Sequence, residues 1–135
     1  AFEAPLLVHH ADAPLYRSPQ ASTSFFMGSG RVVPPDYLIK GNEQLQMGTL
    51  TAKVLETPGH TPGGICLELP GVLFTGDTLF AGSIGRTDLP GGSYRQIIVS
   101  IKSKLLVYAD STKVYPGHGP PSTIGDERRY NPFLA

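Results

Sequence analysis

Apolar and β-branched residues come in short runs broken by Gly, Pro and polar positions along most of the 135-residue chain. That rhythm predicts many brief strands joined by shaped turns. Residues 5–9 read as a short buried strand, and Asp12 then reads as the cap of a helix start with Pro14 in its first turn. Gln20 to Met27 reads as a weak helix ended by Gly28-Ser29-Gly30, with Phe25, Phe26 and Met27 as core. A strand over 37–42 leads into a turn, 43–48 is a polar-alternating edge strand, and 50–55 is a longer strand. Residues 64–69 and 72–75 pair as a hairpin around Pro70-Gly71. The best helix runs from Ser93 to Val107, where Ser93 and Gln96 form a capping box and Tyr94, Ile97, Ile98, Ile101 and Leu105 share one face. Thr112 to Tyr115 is the last strand, and Thr123 with Asp126 opens a short helix cut at Asn131-Pro132. Strands fill the middle and helices flank them. The fold class is therefore a mixed α/β sandwich without the regular alternation of a doubly wound sheet.

Composition narrows this picture. Hydrophobic residues make up 40% and charged residues 16%, which suits a single packed domain over residues 1–135 and excludes a disordered chain. Eleven basic residues balance eleven acidic ones, so there is no electrostatic footprint for nucleic acid or an anionic membrane. No apolar run is long enough to span a bilayer and no signal peptide opens the chain, so a cytoplasmic setting is expected. The single cysteine, Cys66, excludes an internal disulfide framework and lies within an apolar run, where it reads as a small buried residue.

One local grammar occurs three times. Leu73-Phe74-Thr75-Gly76-Asp77 is a strand, a glycine and a carboxylate; Val54-Leu55-Glu56-Thr57-Pro58-Gly59-His60 and Val114-Tyr115-Pro116-Gly117-His118 end the same way on an imidazole. A rigid strand stops, glycine permits an unusual backbone, and a metal-capable side chain sits at the tip. Three such tips predict one convergent metal site centred on Asp77, with His60 and His118 as partners. Imidazole and carboxylate suit zinc, iron or manganese, and the lack of a nearby thiolate suits a catalytic site better than a structural one.

The segments Thr57 to Gly64, Phe74 to Phe80, Gly85-Arg86-Thr87-Asp88 and Pro116-Gly117-His118-Gly119 together resemble the metallo-β-lactamase superfamily, and within it the glyoxalase II-like hydrolases. The resemblance implies an αββα sandwich with a one- or two-metal site at the edge of its sheets. It implies His60 as a ligand of the first ion, Asp77 as the bridging carboxylate and His118 as a ligand of the second. The implied chemistry is hydrolysis of a thioester or similar carbonyl by metal-activated water, with any two ions about 3.5–4 Å apart. The family's leading His-x-His-x-Asp-His signature does not occur in these residues. His9, His10 and Asp12 have the wrong spacing to replace it, and the two histidines read as strand-end surface residues. The chain is thus expected to carry the C-terminal portion of the fold. Alone it is expected to be inactive or weakly active, associating with the missing segment or as a homodimer to cover apolar surface.

Arg86 stands where glyoxalase II enzymes place a substrate-contacting lysine. It reads equally as a clamp on a substrate carboxylate or as a structural partner of Asp88. Ser83 and Tyr94 are possible pocket residues, Tyr94 reading more readily as core. These residues do not include the extra helical domain that holds glutathione in glyoxalase II, which weakens the glutathione-thioester assignment; the expected substrate is a thioester or another small ester or amide. Two alternatives accompany the hydrolase: a mono-iron persulfide dioxygenase-like enzyme, which shares the Gly-Arg-Thr-Asp stretch, and a truncated or split chain without turnover.

Overall fold

The computed structural model describes residues 4–17 and 33–135. They fall into two compact units, divided after Lys40. The predicted helix over 20–27 and the core assignment of Phe25, Phe26 and Met27 lie outside the described residues.

In the first unit, β1 (Leu7–His9) pairs in parallel with β2 (Tyr37–Ile39). The helix start differs from expectation. Residues His10–Asp12 form a single tight turn before α1 (Ala13–Arg17), and His9 caps that turn, its ring Nδ1 accepting from the Ala11 amide. The capping imidazole is only 6% exposed, so of the two histidines expected at the surface only His10 is exposed.

The second unit is built on a six-stranded sheet in the order β10-β9-β6-β5-β4-β3. Its strands are β3 (Gln44–Met47), β4 (Leu50–Glu56), β5 (Ile65–Leu69), β6 (Val72–Gly76), β9 (Lys113–Pro116) and β10 (Ser122–Thr123). The polar-alternating strand takes the edge, where its outer face meets water. The hairpin around Pro70-Gly71 forms in the expected register, Leu69 opposite Val72. Three short strands escaped the sequence reading: β10, and the small ribbon of β7 (Leu79–Phe80) and β8 (Ser83–Ile84).

Register places Leu55, Cys66, Leu73 and Val114 on one face of the sheet, and all four are buried. Against them lie Ile97, Ile101 and Leu105 of the long helix and Ile124 of α3 (Ile124–Tyr130) in one cluster. Ser93 caps α2 (Tyr94–Ser100) through the Gln96 amide, and Thr123 caps α3 through the Asp126 amide, as the sequence predicts. The helix from Ser93 is not uniform, however. After Ser100 it widens into a π turn over Ile101–Leu105, the Leu106 amide reaching back to the Ile101 carbonyl. Tyr94 is the correction on this helix: it is 55% exposed, because the buried stripe begins one turn later at Ile97.

On the opposite face, Phe74 and Tyr115 are register partners of the parallel β6–β9 pair, and their rings stack with centroids 5.7 Å apart. Both remain substantially exposed.

Cys66 is fully buried, and burial pushes its thiol up to about 11 from an ordinary 9.0. Its folded-state value is the higher one, so the thiol favours the fold below pH 9 and this contribution fades as pH climbs from 9 toward 11. The native protein should therefore leave its one thiol unmodified by iodoacetamide at neutral pH and expose it fully in guanidinium. Rapid alkylation of the folded chain would contradict that burial.

Candidate metal centre

Strand direction explains why the three tips meet. β4 is antiparallel to β5 and β5 to β6, so β4 and β6 run the same way; β9 is parallel to β6. All three therefore end at the same edge of the sheet. His60 follows β4, Asp77 follows β6 and His118 follows β9. The Gly117 amide donates to the Gly76 carbonyl at 2.8 Å, tying the third tip directly to the second.

Asp77 sits between the imidazoles. Its Oδ2 lies 3.5 Å from His60 Nε2, and its Oδ1 lies 3.2 Å from His118 Nε2. The result is two pairs sharing one carboxylate, instead of three side chains round a common point. Consistent with this, no group of three or more His, Cys, Asp or Glu among the described residues is set to hold a single ion. His60 is the most enclosed of the three, Asp77 is 41% exposed, and His118 is open to solvent with the ring of Phe80 beside it.

The other nitrogen of His60 fixes the chemistry of the pair. Nδ1 lies 2.8 Å from the backbone carbonyl of Arg86. A carbonyl only accepts, so Nδ1 carries the hydrogen. In a neutral ring held this way, Nε2 turns a lone pair toward a carboxylate oxygen. Acceptor faces acceptor, an arrangement that a cation between them relieves. Two N or O ligands about 2.0–2.2 Å from one tetrahedral ion are roughly 3.3–3.6 Å apart. The His60–Asp77 separation falls within that span, and the His118–Asp77 separation falls just below it. The donor set fits a divalent ion.

Buried hydroxyls root these tips. Thr57 Oγ1 meets Thr78 Oγ1 and Cys66 Sγ, each at 3.3 Å, and Thr75 Oγ1 donates to the Leu79 carbonyl. Threonine precedes the glycine at two of the three tips, Thr57 before Gly59 and Thr75 before Gly76, while Tyr115-Pro116 precedes Gly117 at the third. Two close backbone approaches complete the frame. A Cβ at Gly85 would lie 1.8 Å from the Asp77 carbonyl oxygen, and one at Gly59 would lie 2.3 Å from Ile97 Cβ. Gly85 also donates to Thr78, while Gly59 accepts from the Ser93 amide and Pro58 from Ser100 Oγ.

Of the remaining candidates, Arg86 forms the structural contact. Its Nε and Nη2 each lie 2.8 Å from a different oxygen of Asp88. One edge of the guanidinium, Nε with Nη2, is thus taken by Asp88, and this pairing holds the Asp88 carboxyl down at about 2. Ser83 is bound into the fold: its carbonyl accepts from Asn131 Nδ2, which also donates to the buried carboxylate of Glu127.

The model of the metallo-β-lactamase superfamily matches residues 1–118. The chain belongs to the metallo-β-lactamase superfamily. Hydroxyacylglutathione hydrolase GloC of Haemophilus influenzae is 44% identical over 104 residues, covering 76% of this chain and 49% of that protein. The crystal structure of the BLEG-1 B3 metallo-β-lactamase superposes with a TM-score of 0.85 at 39% identity, covering 98% of this chain and 66% of that one. The protein TTHA1623, crystallised in a di-iron-bound form, gives a TM-score of 0.78 at 37% identity with the same coverage. The fold is thus a portion of the metallo-β-lactamase α/β sandwich, and the chain spans about half to two thirds of the length of the curated relatives it matches. Among the described residues, no helix is long and apolar enough to cross a membrane.

Proposed function

We propose that this superfamily chain contributes His60, Asp77 and His118 to a divalent-metal site of a glyoxalase II-like hydrolase acting on a thioester or a similar small ester. The observation that carries this reading is one carboxylate, Asp77, set between two imidazole Nε2 atoms, 3.5 Å from His60 and 3.2 Å from His118. His60 would hold one ion and His118 a second, with one oxygen of Asp77 turned to each. That second pair supports a two-ion hydrolase over the mono-iron alternative, which needs only the His60 side. A divalent ion supplies Lewis acidity at the carbonyl and makes water a stronger acid near neutral pH. The residues themselves orient and share: Arg86 fixes the tautomer of His60, and Asp77 spreads one negative charge over two positions. The likeness to GloC supports the substrate class, and the di-iron form of TTHA1623 supports two ions; zinc, iron and manganese all suit these ligands.

The test uses the full-length gene product, stripped with chelator and reloaded separately with zinc, iron(II) and manganese(II). The expected result is retention of metal after gel filtration together with hydrolysis of S-lactoylglutathione or a simpler thioester. Protein that retains none of the three ions, and hydrolyses no thioester, overturns the proposal.

A further inference from the structure

The geometry points to the Arg86–Asp88 pair as a positioning device for His60: the fork shapes the loop whose carbonyl sets the tautomer, and so the metal-binding nitrogen, of that imidazole. The inference rests on the metal reading above.

Residues 85–88 adopt no regular secondary structure, so nothing repetitive holds the Arg86 carbonyl in place. Three contacts do. Gly85 donates to the Thr78 carbonyl at 3.0 Å and fits against the Asp77 backbone so closely that no side chain could stand there. The Arg86 carbonyl meets His60 Nδ1 at 2.8 Å. The Arg86 guanidinium then closes on Asp88 two residues later with two parallel hydrogen bonds. Asp77 and His60 are thus joined through this short loop.

Magnitude separates a local from a global role. Both partners of the fork are well exposed, at 61% and 67% of their side-chain surface. An exposed pair adds little to overall stability, because water screens it and two long side chains lose freedom. Its value is geometric: a planar fork on a carboxylate fixes both distance and angle in a way a point charge does not. Fixing a ligand's second nitrogen is how outer partners tune metal affinity. The orienting group here is a main-chain carbonyl, so the side chains that control it lie one step further out, at Arg86 and Asp88.

Asp88→Ala and Arg86→Lys each test this in the full-length protein. Zinc affinity is expected to fall roughly 10–100-fold in both, with thermal stability close to the parent's. The distinguishing readout is the ring tautomer of His60, taken from ¹⁵N shifts in metal-free protein at about pH 8, above the ordinary histidine range. The parent should show Nδ1 protonated and Nε2 bare, and both variants should move toward a mixture. An unchanged tautomer, or zinc affinity within about twofold of the parent, overturns the inference. Should the parent itself bind no zinc, the proposed function fails on its own, and the tautomer measured without metal still decides whether this loop orients His60.

Discussion

Asp77→Asn is expected to abolish zinc uptake while leaving the metal-free protein at least as stable as the parent. The two halves of this result have one cause. Asp77 Oδ2 lies 3.5 Å from His60 Nε2 and Oδ1 lies 3.2 Å from His118 Nε2, so when both rings are neutral the carboxylate has no full positive charge beside it unless a cation is bound. An amide keeps the shape, removes the charge and offers an N–H to one of these nitrogens. Removing a ligand shared by two positions should cost more than the 10–100-fold of an outer partner, on the order of 100-fold or beyond. At a residue 41% exposed the change in stability should stay within about 0.5 kcal/mol, in the direction of a gain. Competition with a chromophoric chelator gives the affinity, and thermal unfolding in EDTA gives the stability. Zinc affinity retained within about threefold, or a melting temperature several degrees lower in EDTA, would refute the account.

The second large effect is on the fold. Gly59 has φ of 146°, and a Cβ there would lie 2.3 Å from Ile97 Cβ and 2.4 Å from the Ile97 backbone. Alanine brings two costs, a backbone conformation that side chains resist and an overlap with a helix that cannot retreat from a fully buried Ile97. Each is about 1–3 kcal/mol, so Gly59→Ala should lose about 2–6 kcal/mol and roughly 10–20 °C in melting temperature. Gly48 supplies the control. Its φ is 65°, but open space surrounds the position, so Gly48→Ala should show only the backbone cost. Equal losses at the two sites would mean that contact with α2 is not what requires glycine at 59.

The three metal-site candidates were legible because each belongs to a self-contained local phrase: strand, glycine turn, ligand. The capping boxes at Ser93 and Thr123 and the hairpin at Pro70-Gly71 were legible for the same reason. What stayed hidden depends on partners distant in sequence or on the main chain. The Arg86 carbonyl that orients His60 has no residue signature, since any residue offers a carbonyl. A π turn leaves Ile97, Ile101 and Leu105 at ordinary helical spacing, so periodicity could not reveal it. The two-residue strands β7, β8 and β10 are too short to show alternation. Tyr94 carried the right spacing for the core but lies beyond the surface the sheet covers, and His9 gave no sign that a cap would bury it.

The connection between β6 and β9 has a consequence for how the site assembles. His60 and Asp77 are joined by two consecutive antiparallel pairings, β4 to β5 to β6, separated by short loops. His118 arrives only after an excursion through α2 and closes a parallel pairing, which no tight turn can nucleate. Loop-closure entropy therefore falls mainly on the second imidazole. One half of the centre is sequence-local and the other is topologically remote, so early in folding the chain would hold His60 beside Asp77 while His118 is still being delivered.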